Sequence, residues 1–209
     1  MGAADPVGTQ GADYTDRLHR IGGVWWKRVL DVQAPYRWNL RRLDLGRTLD
    51  VGCGIGRNLA HLGSNGVGVD HNPTSVAACR SMGLEAYTVE EFFQSERARP
   101  DTFDGILMAH VLEHLQEDEA MAILASYLPF LRAGGRVVFI TPQLRGYASD
   151  ASHVRFVGFE EASALAGRLG LVVDRRYSFP FPRIAGRAFT YNEFITVARK
   201  PTVPAPRQG

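Results

Sequence analysis

From Arg47 to Lys200 the chain alternates short apolar runs with helix-length segments, and this rhythm constrains the fold more than any other feature. The runs "RTLDV", "GVGVD", "LEAYTV", "FDGILMA" and "RVVFIT" are separated by "RNLAHLGSNG", "TSVAACRSMG", "EEFFQSERA" and "HVLEHLQEDEAMAILASYLPFLRAGG". Strands joined by helical crossovers pair in parallel, and helices then cover both faces of the sheet. After a long loop, a helix "GFEEASALAGRLG" leads into two consecutive strands, "LVVDRRYSF" and "AFTYNEFITVARK", which predict an antiparallel hairpin at one edge. The expected fold is α/β, a Rossmann-like doubly wound seven-stranded sheet, mostly parallel with a C-terminal antiparallel hairpin.

A chain of 209 residues, 45% of them hydrophobic, can bury one sizeable core. We expect one domain over residues 13–200, opened by a helical cap at 13–43 and flanked by flexible ends at 1–12 and 201–209. The cap carries Trp25, Trp26, Tyr36 and Trp38 and is broken at Pro35, which predicts two short helices. The net charge of +2 comes from interspersed charges, so composition neither requires nor excludes RNA as a partner. The sequence has no apolar run of spanning length, and neither a membrane span nor a secretory leader is expected, so the expected location is cytoplasmic, as a monomer or homodimer. Cys53 and Cys79 cannot form a disulfide framework and read as reduced thiols.

The stretch "LDVGCGIGRNL" places Gly52, Gly54 and Gly56 at alternate positions behind Asp50 and the first strand. In a sheet of this type ligands bind at the carboxyl ends of the strands, and glycines let ligand atoms approach the backbone. The spacing differs from the G-x-G-x-x-G of dinucleotide sites, since Arg57 stands where the third glycine would be. Asp70 closes the second strand, where a carboxylate can accept both hydroxyls of a ribose. The pattern fits a nucleoside without phosphates.

With "LDVGCGIGRNL" as the glycine-rich motif and "GVDHNP" as the acidic second-strand motif, the chain resembles the class I S-adenosylmethionine-dependent methyltransferases over about Leu43 to Lys200. The resemblance implies that Asp50 and the loop of Gly52, Cys53, Gly54 and Gly56 line the methionine part of the cofactor while Asp70 holds its ribose. His71, Glu90 and His110 complete the candidate cofactor residues, with Glu91 and Asn72 as further candidates beside the adenine.

A second constellation lies in "AHVLEHL", where a continuous helix would put His110, Glu113 and His114 on one face. His153 follows in the long loop "TPQLRGYASDASHVRFVGFEE". This combination is similar to the metal-dependent 2'-O-methyltransferases of small-RNA 3' ends, and a related Glu-x-x-Glu-His segment occurs in the catechol-type O-methyltransferases of ubiquinone synthesis. Both have a glutamate where this chain has His110. The resemblance makes His110, Glu113, His114 and His153 a candidate site for a divalent metal (magnesium, manganese or zinc), and three imidazoles with one carboxylate favour the softer ions. His153, Glu113 and His114 are the candidate catalytic residues, with His153 as general base if no metal is held.

The function expected from these residues is S-adenosylmethionine-dependent O-methylation of a small molecule or sugar, a mannose or other glycan sugar among them, metal-assisted at a vicinal diol. RNA 2'-O-methylation, N- or C-methylation of a metabolite, and a catalytically inactive cofactor-binding partner stand as alternatives.

Overall fold

The computed structural model describes residue 31 and residues 33–202. Trp25, Trp26, His19 and most of the expected helical cap and both termini lie outside the described residues. Seven strands form one sheet in the order β3-β2-β1-β4-β5-β7-β6. They are β1 (Thr48–Val51), β2 (Gly66–Asp70), β3 (Ala86–Thr88), β4 (Phe103–Ala109), β5 (Leu131–Pro142), β6 (Val172–Phe179) and β7 (Glu193–Arg199). β1 to β5 are parallel, whereas β7 runs antiparallel to both β5 and β6. The expected hairpin is present, but β7 is inserted between β5 and β6, so β6 forms the edge.

Every residue of β1 and β2 is buried, as expected of parallel strands covered on both faces. One face packs Leu49, Val51, Ile106, Met108, Val137 and Phe139 against α4 (Val89–Gln94), α5 (Glu117–Tyr127) and α7 (Phe159–Arg168). At its centre Phe92 is fully buried, with Phe130 edge-on at 5.4 Å. The opposite face packs Leu107, Val138, Ile140, Ile195 and Val197 against Leu40 and Leu43 of α1 (Ala34–Leu43). Pro35 lies in the first turn of α1, where its missing N–H leaves no helical bond unmade, so it starts this helix; the other helix expected in the cap lies outside the described residues. α2 (Arg57–Leu62) and α3 (Pro73–Ser81) bury Leu59, Val76 and Cys79 in a third cluster.

The long helix expected from His110 onward is not continuous. His110 has φ +59°, outside the right-handed helical region, Leu112–His114 forms one 3₁₀ turn, and α5 begins only at Glu117. Glu119 Oε2 accepts the Gln116 N–H at 2.8 Å and fixes that start. Pro129 then ends the helical segment in a 3₁₀ turn, and the chain enters β5 at Leu131, earlier than expected. His110, Glu113 and His114 therefore do not share one α-helical face.

The strand order reverses between β1 and β4, which places the crevice at the carboxyl ends of these two neighbours. The glycine loop leaves β1 there and His110 leaves β4 there.

Candidate functional site

The glycine loop begins with the Gly52 and Cys53 N–H groups both donating to Val69 O, at 2.8 and 3.1 Å, which anchors it to the neighbouring strand. Gly52, Gly54 and Gly56 all have positive φ, at +75°, +53° and +83°. Their surroundings differ. A Cβ on Gly52 would lie 2.5 Å from Val111, and one on Gly56 would lie 2.7 Å from Leu84, so these two glycines permit close packing. A Cβ on Gly54 would meet nothing within 4 Å, so the middle glycine faces open space. The Gly52 contact with Val111 also seats the loop against the turn that carries Glu113 and His114.

Asp70 is 7% exposed, and its two carboxylate oxygens accept the N–H groups of Gly54 and Asn72, each at 2.8 Å. Each oxygen keeps a lone pair for a ligand hydroxyl. Asn72 caps α3 by accepting from Thr74 N at 3.0 Å, and His71 is exposed with Nδ1 3.6 Å from Asp70 Oδ1. Glu90 is exposed in the first turn of α4, just past Thr88, the register partner of Asp70. Glu91 caps the same helix and pairs with Arg80, so its carboxylate is engaged away from the crevice.

Asp50 is 1% exposed, and its Oδ2 has no hydrogen-bond partner among the described residues. Burial, reinforced by the Asp70 charge, pushes its pKa from 3.8 to about 7. A buried carboxylate without a partner costs free energy unless a cationic or donor group reaches it. Asp50, the open space at Gly54 and the spare acceptors of Asp70 fit the amino-acid end and ribose of S-adenosylmethionine.

On the other side of the crevice, the Glu113 side chain is fully buried, and neither carboxylate oxygen has a hydrogen-bond partner. The loop after β5 contains the short helix α6 (Leu144–Tyr147) and is pinned to this turn where Val154 and Arg155 N–H both donate to Glu113 O. That brings His153 to His114, with ring centroids 4.8 Å apart. His114 Nδ1 lies 3.2 Å from Ser152 O, and His153 Nδ1 lies 2.7 Å from Tyr147 O. A ring nitrogen facing a carbonyl carries the proton, so both imidazoles keep their Nε2 lone pairs for other partners. One ligand atom each from Glu113, His114 and His153 lie within 4.8 Å of one another. Burial lowers the pKa of His114. Two imidazoles and a buried carboxylate without a hydrogen bond fit a divalent ion of the zinc or manganese type.

His110 touches one of these three, Glu113, but its ring does not join the cluster. Its Nε2 is 2.9 Å from Glu193 Oε1, and its Nδ1 is 3.2 Å from Glu113 Oε1 without the alignment of a hydrogen bond. Burial opposes a charge on this ring, but the Glu113 and Glu193 carboxylates outweigh it and raise the pKa to about 10. The ligand atoms that converge belong to Glu113, His114 and His153, so the expected four-residue metal group separates into this three-residue cluster and a His110 bridge between the Glu113 and Glu193 carboxylates. Glu193 was not visible from the sequence, because β7 reaches His110 across 83 positions with no local motif. Tyr147 stacks on His153 at 5.3 Å, whereas Trp38 stacks on Phe179, away from the cluster's histidines.

The sequence model of a family described as "Methyltransferase domain" matches residues 25–176. Relatives include ubiquinone biosynthesis O-methyltransferases from Aliivibrio fischeri, 30% identical over 132 residues, and from Alkalilimnicola ehrlichii, 33% identical over 138 residues. These alignments cover 59% and 56% of this chain and 53% and 54% of the relatives, so the chain spans about half their length. Among solved structures, a SAM-dependent methyltransferase from Archaeoglobus fulgidus aligns with TM-score 0.63 at 17% identity, over 84% of this chain and 98% of that one. Magnesium protoporphyrin IX methyltransferase from Synechocystis, solved with bound SAH, aligns with TM-score 0.62 at 15% identity, over 90% of this chain and 95% of that one. The matched family, the strand order and the glycine loop agree, and this chain belongs to the class I S-adenosylmethionine-dependent methyltransferases.

Proposed function

We propose that the protein transfers a methyl group to a hydroxyl of a small molecule carrying two adjacent oxygens, with Glu113, His114 and His153 holding a divalent metal. The observation that carries this reading is the cluster itself: a buried carboxylate without a hydrogen-bond partner faces two imidazoles whose Nδ1 atoms are tied to carbonyls. The relatives named O-methyltransferases support transfer to an oxygen. A divalent ion in that cluster would lower the pKa of a bound hydroxyl and favour chelating diols.

The sulfonium of S-adenosylmethionine supplies an electrophilic methyl group, so the protein must align the acceptor oxygen, hold the cofactor and accommodate the released proton. Asp70 binds the ribose, the Gly54 position admits the cofactor against the backbone, and Asp50 faces its cationic end. Tyr147 O orients His153, and Ser152 O orients His114. No helix among the described residues is long and apolar enough to cross a membrane.

The pKa of Asp50 gives a signed prediction. Its ordinary value is 3.8, and the folded protein raises it to about 7, so the folded state holds the proton more tightly. Without cofactor, stability conferred by the protonated form is present below about pH 4 and is lost as pH rises through about 7. A cationic ligand prefers the ionised carboxylate. Cofactor affinity measured by calorimetry should therefore fall as pH drops below about 7, and Asp50→Asn should flatten that dependence.

The acceptor class is tested by labelled-methyl transfer to catechols, sugar diols, simple amines and short RNAs, with the labelled atom located by NMR. Label on a catechol or sugar oxygen is expected. Label confined to nitrogen, carbon or RNA would replace this reading.

A further inference from the structure

The connection between β6 and β7 and the loop that carries His153 border a half-open cavity of about 330 Å³. Its walls combine the rings of Phe156 and Phe194 with the guanidinium side chains of Arg183 and Arg187. Many surface arginines are paired, among them Arg80 with Glu91, Arg97 with Glu85 and Arg132 with Asp104, whereas others, such as Arg57 and Arg145, stand alone on open surface. Arg183 and Arg187 make no ion pair and donate no hydrogen bond among the described residues. Arg183 instead lies over Phe194, 5.6 Å from the ring centroid, and 6.0 Å from that of Phe159, so its donors remain available.

The floor of the cavity is fixed. Gln143 Nε2 donates to Glu193 O at 2.9 Å and to Ser178 Oγ at 2.6 Å, while Asn192 Nδ2 donates to Gln143 Oε1 at 3.1 Å. Gln143 and Asn192 are fully enclosed, at 1% and 0% exposure. The arginine-bearing segment closes down on this floor at Gly186, where a Cβ would lie 1.9 Å from Gln143 Oε1. The cavity is also in mechanical contact with the candidate site. Phe156 packs edge-on against Tyr147 at 5.4 Å, and Tyr147 stacks on His153.

We propose that this cavity binds the anionic end, a carboxylate or phosphate, of the methyl acceptor, whose hydroxyls reach the Glu113, His114 and His153 cluster. The proposal rests on the reading of that cluster as an O-methylation site. Guanidinium forks match carboxylate and phosphate oxygens, and aromatic walls accept a ring or short chain. The volume is at the small end of the ~300–1,000 Å³ range of small-molecule sites, enough for one ring with a short substituent. A neutral sugar would leave both guanidinium groups unpaired.

Calorimetric binding of 3-phenylpropionate and phenyl phosphate to the whole protein should be at least about ten-fold tighter than binding of the neutral 3-phenylpropionamide. Arg183→Ala with Arg187→Ala should remove the preference, and Arg183→Lys should retain part of it, with unchanged Tm and cofactor affinity showing that the fold persists. In methyl transfer, 3-(3,4-dihydroxyphenyl)propionate should show a KM about ten-fold below that of its amide, and the double variant should abolish this difference. Equal binding of anion and amide, an anion preference that survives the double substitution, or binding only to phosphatidylglycerol vesicles would overturn the proposal. If the soluble anions bind as stated and no diol is methylated, the anion site stands and the proposed function falls.

Discussion

Replacing His153 by alanine is expected to lower kcat for hydroxyl methylation by about 10²–10⁴-fold, the range typical of losing a positioned proton-transfer or ligand group. Cofactor affinity should stay within about two-fold, because His153 lies on the loop after β5 and the carboxylates proposed to face the cofactor, Asp50 and Asp70, lie in β1 and β2. The imidazole is fixed by the Tyr147 carbonyl at 2.7 Å and by the Tyr147 ring, so its Nε2 has one direction in which to act. His153→Gln keeps a polar tip without the same ligand geometry and should rescue little. Steady-state kinetics beside cofactor calorimetry separates the two effects. A variant with normal kcat would remove His153 from the site.

Asp70→Ala is expected to weaken S-adenosylmethionine by about 100-fold or more. Hydrogen bonds to a charged acceptor contribute about 1.5–3 kcal/mol each, and this carboxylate faces two ribose hydroxyls in the proposed mode. The same oxygens accept the N–H groups of Gly54 and Asn72, so their removal also frees the glycine loop and leaves two backbone donors unpaired. Asp70→Asn retains one acceptor oxygen and should lie between wild type and alanine. Calorimetry of cofactor binding reads the series directly. An alanine variant that binds as wild type would show that the ribose lies elsewhere.

The parallel half of the fold was legible in the sequence because its strands are short apolar runs punctuated by glycine and acidic residues. "GVGVD" and "FDGILMA" coincide with β2 and β4. The segment after β4 misled because "HVLEHLQEDEAMAIL" has good helical composition throughout. Composition does not register that His110 takes a positive φ or that Gln116 and Glu119 set the helix start six residues later. The candidate site was legible where it depends on neighbours in sequence, as with Asp50, the glycines, and Glu113 beside His114. It was illegible where tertiary contacts supply the partner. Glu193 reaches His110 from β7, Tyr147 O fixes His153, and the arginines of the β6–β7 connection are placed by the Gln143 and Asn192 floor. That His110 bridges Glu113 and Glu193 rather than joining the cluster follows from the same cause, since the second carboxylate comes from a distant strand.

The measurement that tests the central claim most directly is methyl transfer to the best diol acceptor after EDTA treatment, followed by restoration with zinc, manganese or magnesium in separate reactions. The account predicts that transfer stops with EDTA, returns with a divalent ion, and fails to return in Glu113→Gln. Transfer that continues undiminished in EDTA would contradict the metal centre.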